Sequence, residues 1–198
     1  MNKLGDSEIN EYFEKHLPYR IRIMLAHYKL TQLGRAAKDD QWLAPCFEAS
    51  VITGRLMLNV LGVFKRRNDE LYSKKYREYE DDAVNAEDLG GTFVDANNLP
   101  ENDKRLFERF IRMADKACAH LTTPQKHEWQ DTHEAIRRIC HYLRLHLFRP
   151  AGRPCLEIDE FLDGLQTTVL VNPAGTDVTV ITRLGPFTID TDEQVRNR

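Results

Sequence analysis

The fold is decided by residues 47–61, which read FEASVITGRLMLNVL. Phe47, Val51, Gly54, Leu58 and Leu61 recur in this stretch at i, i+4, i+7, i+11 and i+14, which is the spacing of one face of an α-helix. Apolar residues extend well beyond that face, as is typical of a helix with neighbours on several sides. We therefore predict that this segment is the central helix of a helical bundle.

Amphipathic segments on both sides of the central helix predict the other helices. A short helix capped by Ser7 reaches His16, and Pro18 suits the first turn of a longer helix that continues to about Ala37. Two further helices follow in the second half of the chain, each with an apolar stripe at helical spacing. We expect a mainly α protein, built as an up-down helical bundle. The two later stripes consist of Phe110, Ala114, Ala117 and Leu121, and of Ile136, Cys140, Leu143 and Leu147.

The C-terminal part of the chain changes from helical to β character. Residues 167–171 (TTVLV) and 178–182 (VTVIT) are rich in β-branched side chains, and the turn-forming residues 172–177 (NPAGTD) separate them. This pattern predicts a β-hairpin. We assign residues 1–165 to the bundle, 166–183 to a β-hairpin appendage and 184–198 to a disordered tail. Because an isolated hairpin is marginally stable in water, it is expected to dock on the bundle or to pair with another chain.

Charge is strongly segregated between residues 65 and 104. The segment from Lys65 to Arg77 contains six basic and two acidic residues. The segment from Glu78 to Asp103 contains nine acidic residues and no Lys or Arg. Blocks of like charge are usually solvated loops or tails. We interpret 65–104 as a charged excursion from the bundle. The alternative is that its acidic part, residues 78–103, is a mobile arm that covers a basic surface.

The overall composition limits the classes of function. Lys and Arg number 28 against 31 Asp and Glu, a net charge of −3, so a general basic coat for nucleic acid is excluded and any such contact must be local. The four cysteines form no CxxC pair, which points to a reducing compartment. No apolar stretch approaches the ~20 residues needed to cross a bilayer. We expect a soluble, cytoplasmic protein without membrane contact.

The helix around residue 140 carries a basic face opposite its apolar stripe. His133, Arg137, His141 and Arg144 recur at i, i+4, i+8 and i+11, with Arg138 beside them. One interpretation is an ordinary solvated face with its cations favourably placed near the helix C-terminus. The other is a surface for the RNA backbone, with Arg137, Arg138, His141 and Arg144 as the candidate nucleic-acid-binding residues.

Motifs for metals and cofactors are missing from the sequence. His133 and His141 are two helical turns apart, too far for joint ligation of one ion from a straight helix, and there is no HExxH motif. There is also no P-loop, no GxGxxG and no GxSxG. We therefore expect no metal and no cofactor.

Three short stretches, LPYR (17–20), CFEAS (46–50) and ACAHLT (117–122), occur at the starts of two helices and at the end of a third. In this order the region from Leu17 to Arg149 resembles the HEPN superfamily of small helical-bundle proteins, many of which cut RNA. The resemblance implies a homodimer whose shared cleft meets RNA. It also implies metal-independent cleavage, in which an arginine steadies the scissile phosphate and a histidine handles a proton during attack by the ribose 2′-hydroxyl.

The resemblance assigns the histidine to His120. In family nucleases four to six residues stand between the arginine and the histidine, and this chain has Met113, Ala114 and Asp115 at the matching positions. Lys116 lies one helical turn before His120 and can supply positive charge as a point charge without the arginine fork. The candidate catalytic residues are therefore His120 and Lys116. A literal match to the motif, RIMLAH (22–27), falls in the first long helix, which is the wrong helix for the family.

Two functions follow from these observations, and the sequence leaves open whether the protein is an enzyme. The first is a HEPN-like stress or defence protein that either cleaves RNA without metal or only binds it. The second is a non-catalytic interaction module whose bundle face or hairpin binds a protein partner.

Overall fold

The structure, a computed structural model, describes residues 4–37, 43–66, 70–73, 84–119, 129–163, 165–171 and 177–183. These residues are mainly helical, as the sequence predicts. The helices are α1 (Asp6–Glu11), α2 (Leu17–Ala37), α3 (Leu43–Val60), α4 (Glu101–Ala119), α5 (Trp129–Leu143) and α6 (Leu156–Asp163). The strands are β1 (Val63–Lys65), β2 (Leu71–Ser73), β3 (Leu165–Val171) and β4 (Asp177–Arg183).

The N-terminal helices α1 and α2 are joined without a break by a π-helical turn, Tyr12–His16. The first helical residue is Asp6, so Ser7 lies inside the first turn and does not cap the helix as predicted. Gly5 precedes the helix, and its N–H donates to Glu8 Oε2 at 2.7 Å. A backbone donor at the helix start is thereby satisfied by a side chain of the first turn.

The helix α3 is central, as the periodicity of residues 47–61 predicts. It packs against α2, α4 and α5, and the stripe residues Phe47, Val51, Gly54 and Leu58 are all buried. Towards α2, Ser50 Oγ donates to the carbonyl oxygen of Ile23 at 3.1 Å.

At Gly54, α3 comes very close to side chains of α4 and α5. A Cβ at this position would lie 2.6 Å from Phe110 Cζ of α4 and 3.5 Å from Ile139 Cδ1 of α5. Both partner side chains are fully buried, so they have little room to withdraw. Glycine is therefore required here by packing, although it costs helix stability relative to alanine.

Residues 84–100, which belong to the predicted charged excursion at 65–104, pack against the bundle instead of extending into solvent. Val60 and Leu61, at the end of α3, accept backbone hydrogen bonds from Ala86 N at 2.8 Å and Val94 N at 3.0 Å. Thr92 N donates to the carbonyl oxygen of His146 at 2.6 Å. The reason is that isolated apolar side chains among the acids reach the core. These buried residues are Ala86, Leu89, Val94, Ala96 and Leu99.

Two antiparallel hairpins accompany the helices. The predicted C-terminal hairpin is confirmed, with β3 paired to β4 and Val169 opposite Thr179. The short β1–β2 hairpin was not predicted, and it begins directly after Gly62, whose φ of +89° turns the chain out of α3. The predicted tail, residues 184–198, lies outside the described residues. Of the helices described, none is long and apolar enough to cross a membrane.

We predict that Gly54→Ala lowers the free energy of unfolding by about 1–3 kcal/mol, because the added methyl group overlaps the Phe110 ring. Chemical denaturation with urea measures this change. The paired variant Gly54→Ala/Phe110→Leu should recover part of the loss, because leucine vacates the space that the methyl group needs. A Gly54→Ala protein as stable as the parent would contradict the close packing.

Candidate nucleic-acid interface

Of the two candidate catalytic residues, Lys116 lies within the described residues and His120 does not. Lys116 lies in the last turn of α4 and is exposed to solvent. Its cation is favourably placed near the C-terminus of the helix, where the helix dipole is negative.

Asp115, next to Lys116, is held between two cations from other elements. Arg55 Nη1 of α3 lies 2.5 Å from Asp115 Oδ1, and Lys65 Nζ of β1 lies 3.4 Å from Asp115 Oδ2. Only 11% of the Lys65 side chain is exposed, compared with 38% of the Arg55 side chain. The three side chains together carry a charge of +1, so the carboxylate at position 115 does not make this surface negative.

The outward face of α4 is basic along most of its length. Because an α-helix rises 1.5 Å per residue, four basic residues from 105 to 116 span about 16 Å with one cation at nearly every turn. Arg105 pairs with Glu101 at 3.0 Å and Arg109 with Asp131 at 3.1 Å, and such exposed pairs hold a side chain only weakly. The sequence contained this signal as i, i+4, i+7 and i+11 spacing, but it was not among the predicted sites. The α4 basic stripe consists of Arg105, Arg109, Arg112 and Lys116.

Arg138 of the predicted basic face of α5 is engaged within the bundle. Its Nε lies 3.0 Å from Glu134 and 3.6 Å from Asp103, a residue with only 5% exposure at the start of α4. Asp103 also accepts a hydrogen bond from Tyr142 Oη at 2.9 Å. Among the described acids of the segment 78–103, it is Asp103 that reaches this face, and the contact joins α4 to α5.

The other candidates of this basic face, on α5 and at the first residue after it, are also partly enclosed. Arg144 is 18% exposed and pairs with Asp163 at 3.0 Å and Asp159 at 3.5 Å, both on α6. Arg137 and His141 are half-buried, and the His141 ring meets Tyr142 edge to face at 6.1 Å. The structure therefore brings Arg138 and Arg144 against carboxylates, while the α4 basic stripe is directed outward.

The literal motif match in α2 is divided between two environments. Arg22 is exposed and pairs with Glu157 of α6 at 3.1 Å. His27 is fully buried and packs edge to face against Phe47. The two side chains thus do not share a surface on which a phosphate could bind, and His27 is a structural histidine.

His27 forms a buried pair with His133 of α5. His27 Nδ1 lies 3.1 Å from His133 Nε2, so one ring must donate and the other must accept. Burial, together with the neighbouring His133, lowers the pKa of His27 to about 4, and burial also lowers the pKa of His133. If both rings were protonated, neither facing nitrogen could accept, and the hydrogen bond between His27 and His133 would break. Within the described part of the chain, no group of three His, Cys, Asp or Glu side chains is arranged to hold a metal ion.

The histidine pair predicts a loss of stability in acid. A histidine whose pKa is lowered in the folded state stays neutral there, while the unfolded chain takes up a proton below about pH 6.5. His27 therefore does not lower the free energy of unfolding above pH 6.5. As the pH decreases from 6.5 towards 4, protonation of His27 in the unfolded chain should lower that free energy by about 1.4 kcal/mol per pH unit.

Denaturation curves between pH 7 and pH 4 measure this slope. His27→Gln should flatten it relative to the parent protein, whereas replacing the exposed His16 by Gln should leave it unchanged. Parallel curves for the His27→Gln variant and the parent would show that the pair does not set the acid sensitivity.

Comparisons of the chain with protein-family models, with curated proteins and with solved structures returned no match. The case for each candidate site therefore depends on its own residues, their charges and their contacts.

Proposed function

We propose that this chain is a HEPN-like, RNA-binding helical protein that holds the RNA backbone along the α4 basic stripe. The observation that carries the proposal is the row of cations from Arg105 to Lys116, exposed at nearly every turn of one helix. Phosphate contacts supply most of the sequence-independent affinity of proteins for nucleic acids, and arginine is suited to them by its planar fork. A local stripe of this kind is compatible with a net charge of −3 for the chain.

The C-terminal end of α4 supports an extension of this proposal to cleavage. In this extension the RNA-cleaving histidine is His120, and Lys116 precedes it by four residues in the sequence. The guanidinium that the resemblance expects from residues 113–115 is supplied instead by Arg55, which is bound to Asp115 and remains 38% exposed. In this arrangement Arg55 and Lys116 stabilise the phosphate, and His120 handles a proton as the 2′-hydroxyl attacks. The products are a 2′,3′-cyclic phosphate and a free 5′-hydroxyl.

The alternative is a non-catalytic module that binds a protein, including a second copy of this chain. It is favoured by two large apolar side chains on the outer surface of α3, Ile52 and Leu56, which are 40% and 37% exposed. They lie one turn apart and present an apolar surface beside Arg55. An RNA-binding measurement distinguishes the two functions, because only the first requires the protein to bind RNA.

The RNA-binding proposal predicts a specific salt dependence. The variant Arg109→Gln/Arg112→Gln/Lys116→Gln should bind a 20-nucleotide single-stranded RNA more weakly than the parent. Because each lost phosphate contact on a single strand changes the slope of log K against log salt by about 0.7, the slope should decrease in magnitude by about 2. Fluorescence anisotropy of labelled RNA at several salt concentrations measures both quantities.

A matched control removes the same charge from another surface. Lys15, Arg20 and Lys29 are exposed near or on α2, and their triple replacement by Gln should leave the slope unchanged. Equal losses in the two triple variants would mean that net charge, not the α4 basic stripe, determines binding. If the parent does not bind RNA at low salt, the interaction-module function is favoured.

The cleavage proposal predicts that RNA is cut in the presence of EDTA. His120→Ala should lower the rate by about 10²-fold or more, as expected for the loss of general acid–base catalysis. Arg55→Gln should also lower the rate, whereas Arg20→Gln, on the exposed surface of α2, should not. A substrate with 2′-deoxyribose at the cleavage position should remain intact. Cleavage that survives His120→Ala would remove His120 from the mechanism.

A further inference from the structure

A pocket of about 350 Å³ opens where the end of α5 meets α6. Three arginines and two carboxylates line it: Arg144, Arg149, Arg153, Asp159 and Asp163. Apolar side chains, including the buried Phe148 and Ile158, form another part of its wall. The volume lies at the lower end of the range of small-molecule sites, which is about 300–1,000 Å³.

The backbone after α5 brings the arginines to the pocket. A π-helical turn, Arg144–Phe148, ends the helix, and a bend follows that contains Gly152. The bend is held by hydrogen bonds from Arg149 N to the carbonyl oxygen of Arg144 at 3.0 Å and from Arg153 N to that of Phe148 at 2.9 Å. Gly152 has a φ of +66°, and a Cβ there would meet no atom within 4 Å. The pocket is therefore open on this side, and π-helical turns of this kind are frequent at functional sites.

The charges in the pocket are unevenly compensated. Arg144 is shared between Asp159 and Asp163. Arg153 instead donates to the neutral amide oxygen of Asn10 and lies over the Phe13 ring at 5.0 Å. Within the described ranges, neither Arg149 nor Arg153 pairs with a carboxylate.

The fold already restricts the conformations of two arginine side chains in the pocket, which lowers the entropic cost of binding a ligand. Arg153 is half-buried and held by Asn10 and Phe13, so fewer side-chain conformations are lost when it meets a ligand. Arg144 is 18% exposed, and its Nε–H is buried without a hydrogen-bond acceptor in the described part of the chain. Cys155 adds no charge at neutral pH, because burial raises the pKa of its thiol to about 12.

The arrangement indicates an anion that also carries hydrogen-bond donors. The guanidinium groups of Arg149 and Arg153, which pair with no carboxylate of the described residues, match the charge of a phosphomonoester and can each bind it through two N–H groups. The oxygens of Asp159 and Asp163 that do not meet Arg144 accept hydrogen bonds from hydroxyl groups. A simple inorganic anion would use the arginines but would leave the carboxylates without donors.

We propose that this pocket binds a small sugar phosphate, with the phosphate on Arg149 and Arg153 and the sugar hydroxyls on Asp159 and Asp163. The site is formed by α5, α6 and the bend between them. It does not use the α4 basic stripe, so it is independent of the RNA-binding proposal.

Isothermal titration calorimetry with the full chain tests this site, using ribose 5-phosphate, ribose and inorganic phosphate as probes. Ribose 5-phosphate should bind with one site per chain, inorganic phosphate about 10-fold more weakly, and ribose not detectably. Arg149→Gln/Arg153→Gln should weaken binding of ribose 5-phosphate by about 100-fold. The matched charge control Arg20→Gln/Lys29→Gln should bind like the parent.

Two further variants keep the test decisive. Arg149→Gln alone removes an exposed side chain that has no carboxylate partner in the described part of the chain. It should therefore leave the melting temperature unchanged and weaken binding about 10-fold, even if the double variant fails to fold. Asp163→Asn should reduce the preference for ribose 5-phosphate over inorganic phosphate. The proposal is overturned if the parent shows no heat of binding at millimolar ribose 5-phosphate, or if Arg149→Gln binds it as tightly as the parent. Triple replacement in the α4 basic stripe should not alter this titration.

Discussion

The contact between Gly54 and the Phe110 ring sets the distances on which the rest of the bundle depends. A side chain at position 54 would overlap Phe110 and touch Ile139, so α3, α4 and α5 can meet only because one helix has no Cβ at that point. The Asp115 contacts with Arg55 and the Arg109 contact with Asp131 both join helices that meet around Gly54.

Carboxylates divide the arginines of this chain into two classes. Arg138 forms an ion pair with Asp103 of α4, and Arg144 forms ion pairs with Asp159 and Asp163 of α6. These pairs join α5 and the turn after it to α4 and α6. Partly buried pairs of this kind are costly to break, because removing one partner leaves the other charge unpaired and poorly solvated. Arg149, in contrast, is exposed at the rim of a pocket, and Arg105 and Arg109 of α4 have exposed partners. Affinity for anions is therefore expected from the second class, whereas the first class orders the helices.

Much of the fold could be predicted from the sequence because its signals are local. The stripe of residues 47–61 and the β-branched runs around 172–177 each specify their own element, and both predictions are confirmed. The packing of residues 84–100 could not be predicted in this way. Its buried residues, such as Leu89 and Val94, occur singly among acids and have no helical or alternating period. The β1–β2 hairpin has only three residues in each strand, too few for a pattern.

The sequence alone was enough to predict most of the helices, the C-terminal hairpin and the basic face of the helix around residue 140. Helix and strand periods arise from the geometry of the chain over a few neighbouring residues, so they are legible without any tertiary contact. Only the tertiary structure decided that His27 meets His133, that Asp115 lies between Arg55 and Lys65, and that Arg149 and Arg153 share a pocket. Most of these partners are distant in sequence, and where each charge finds its counterpart depends on how the helices pack.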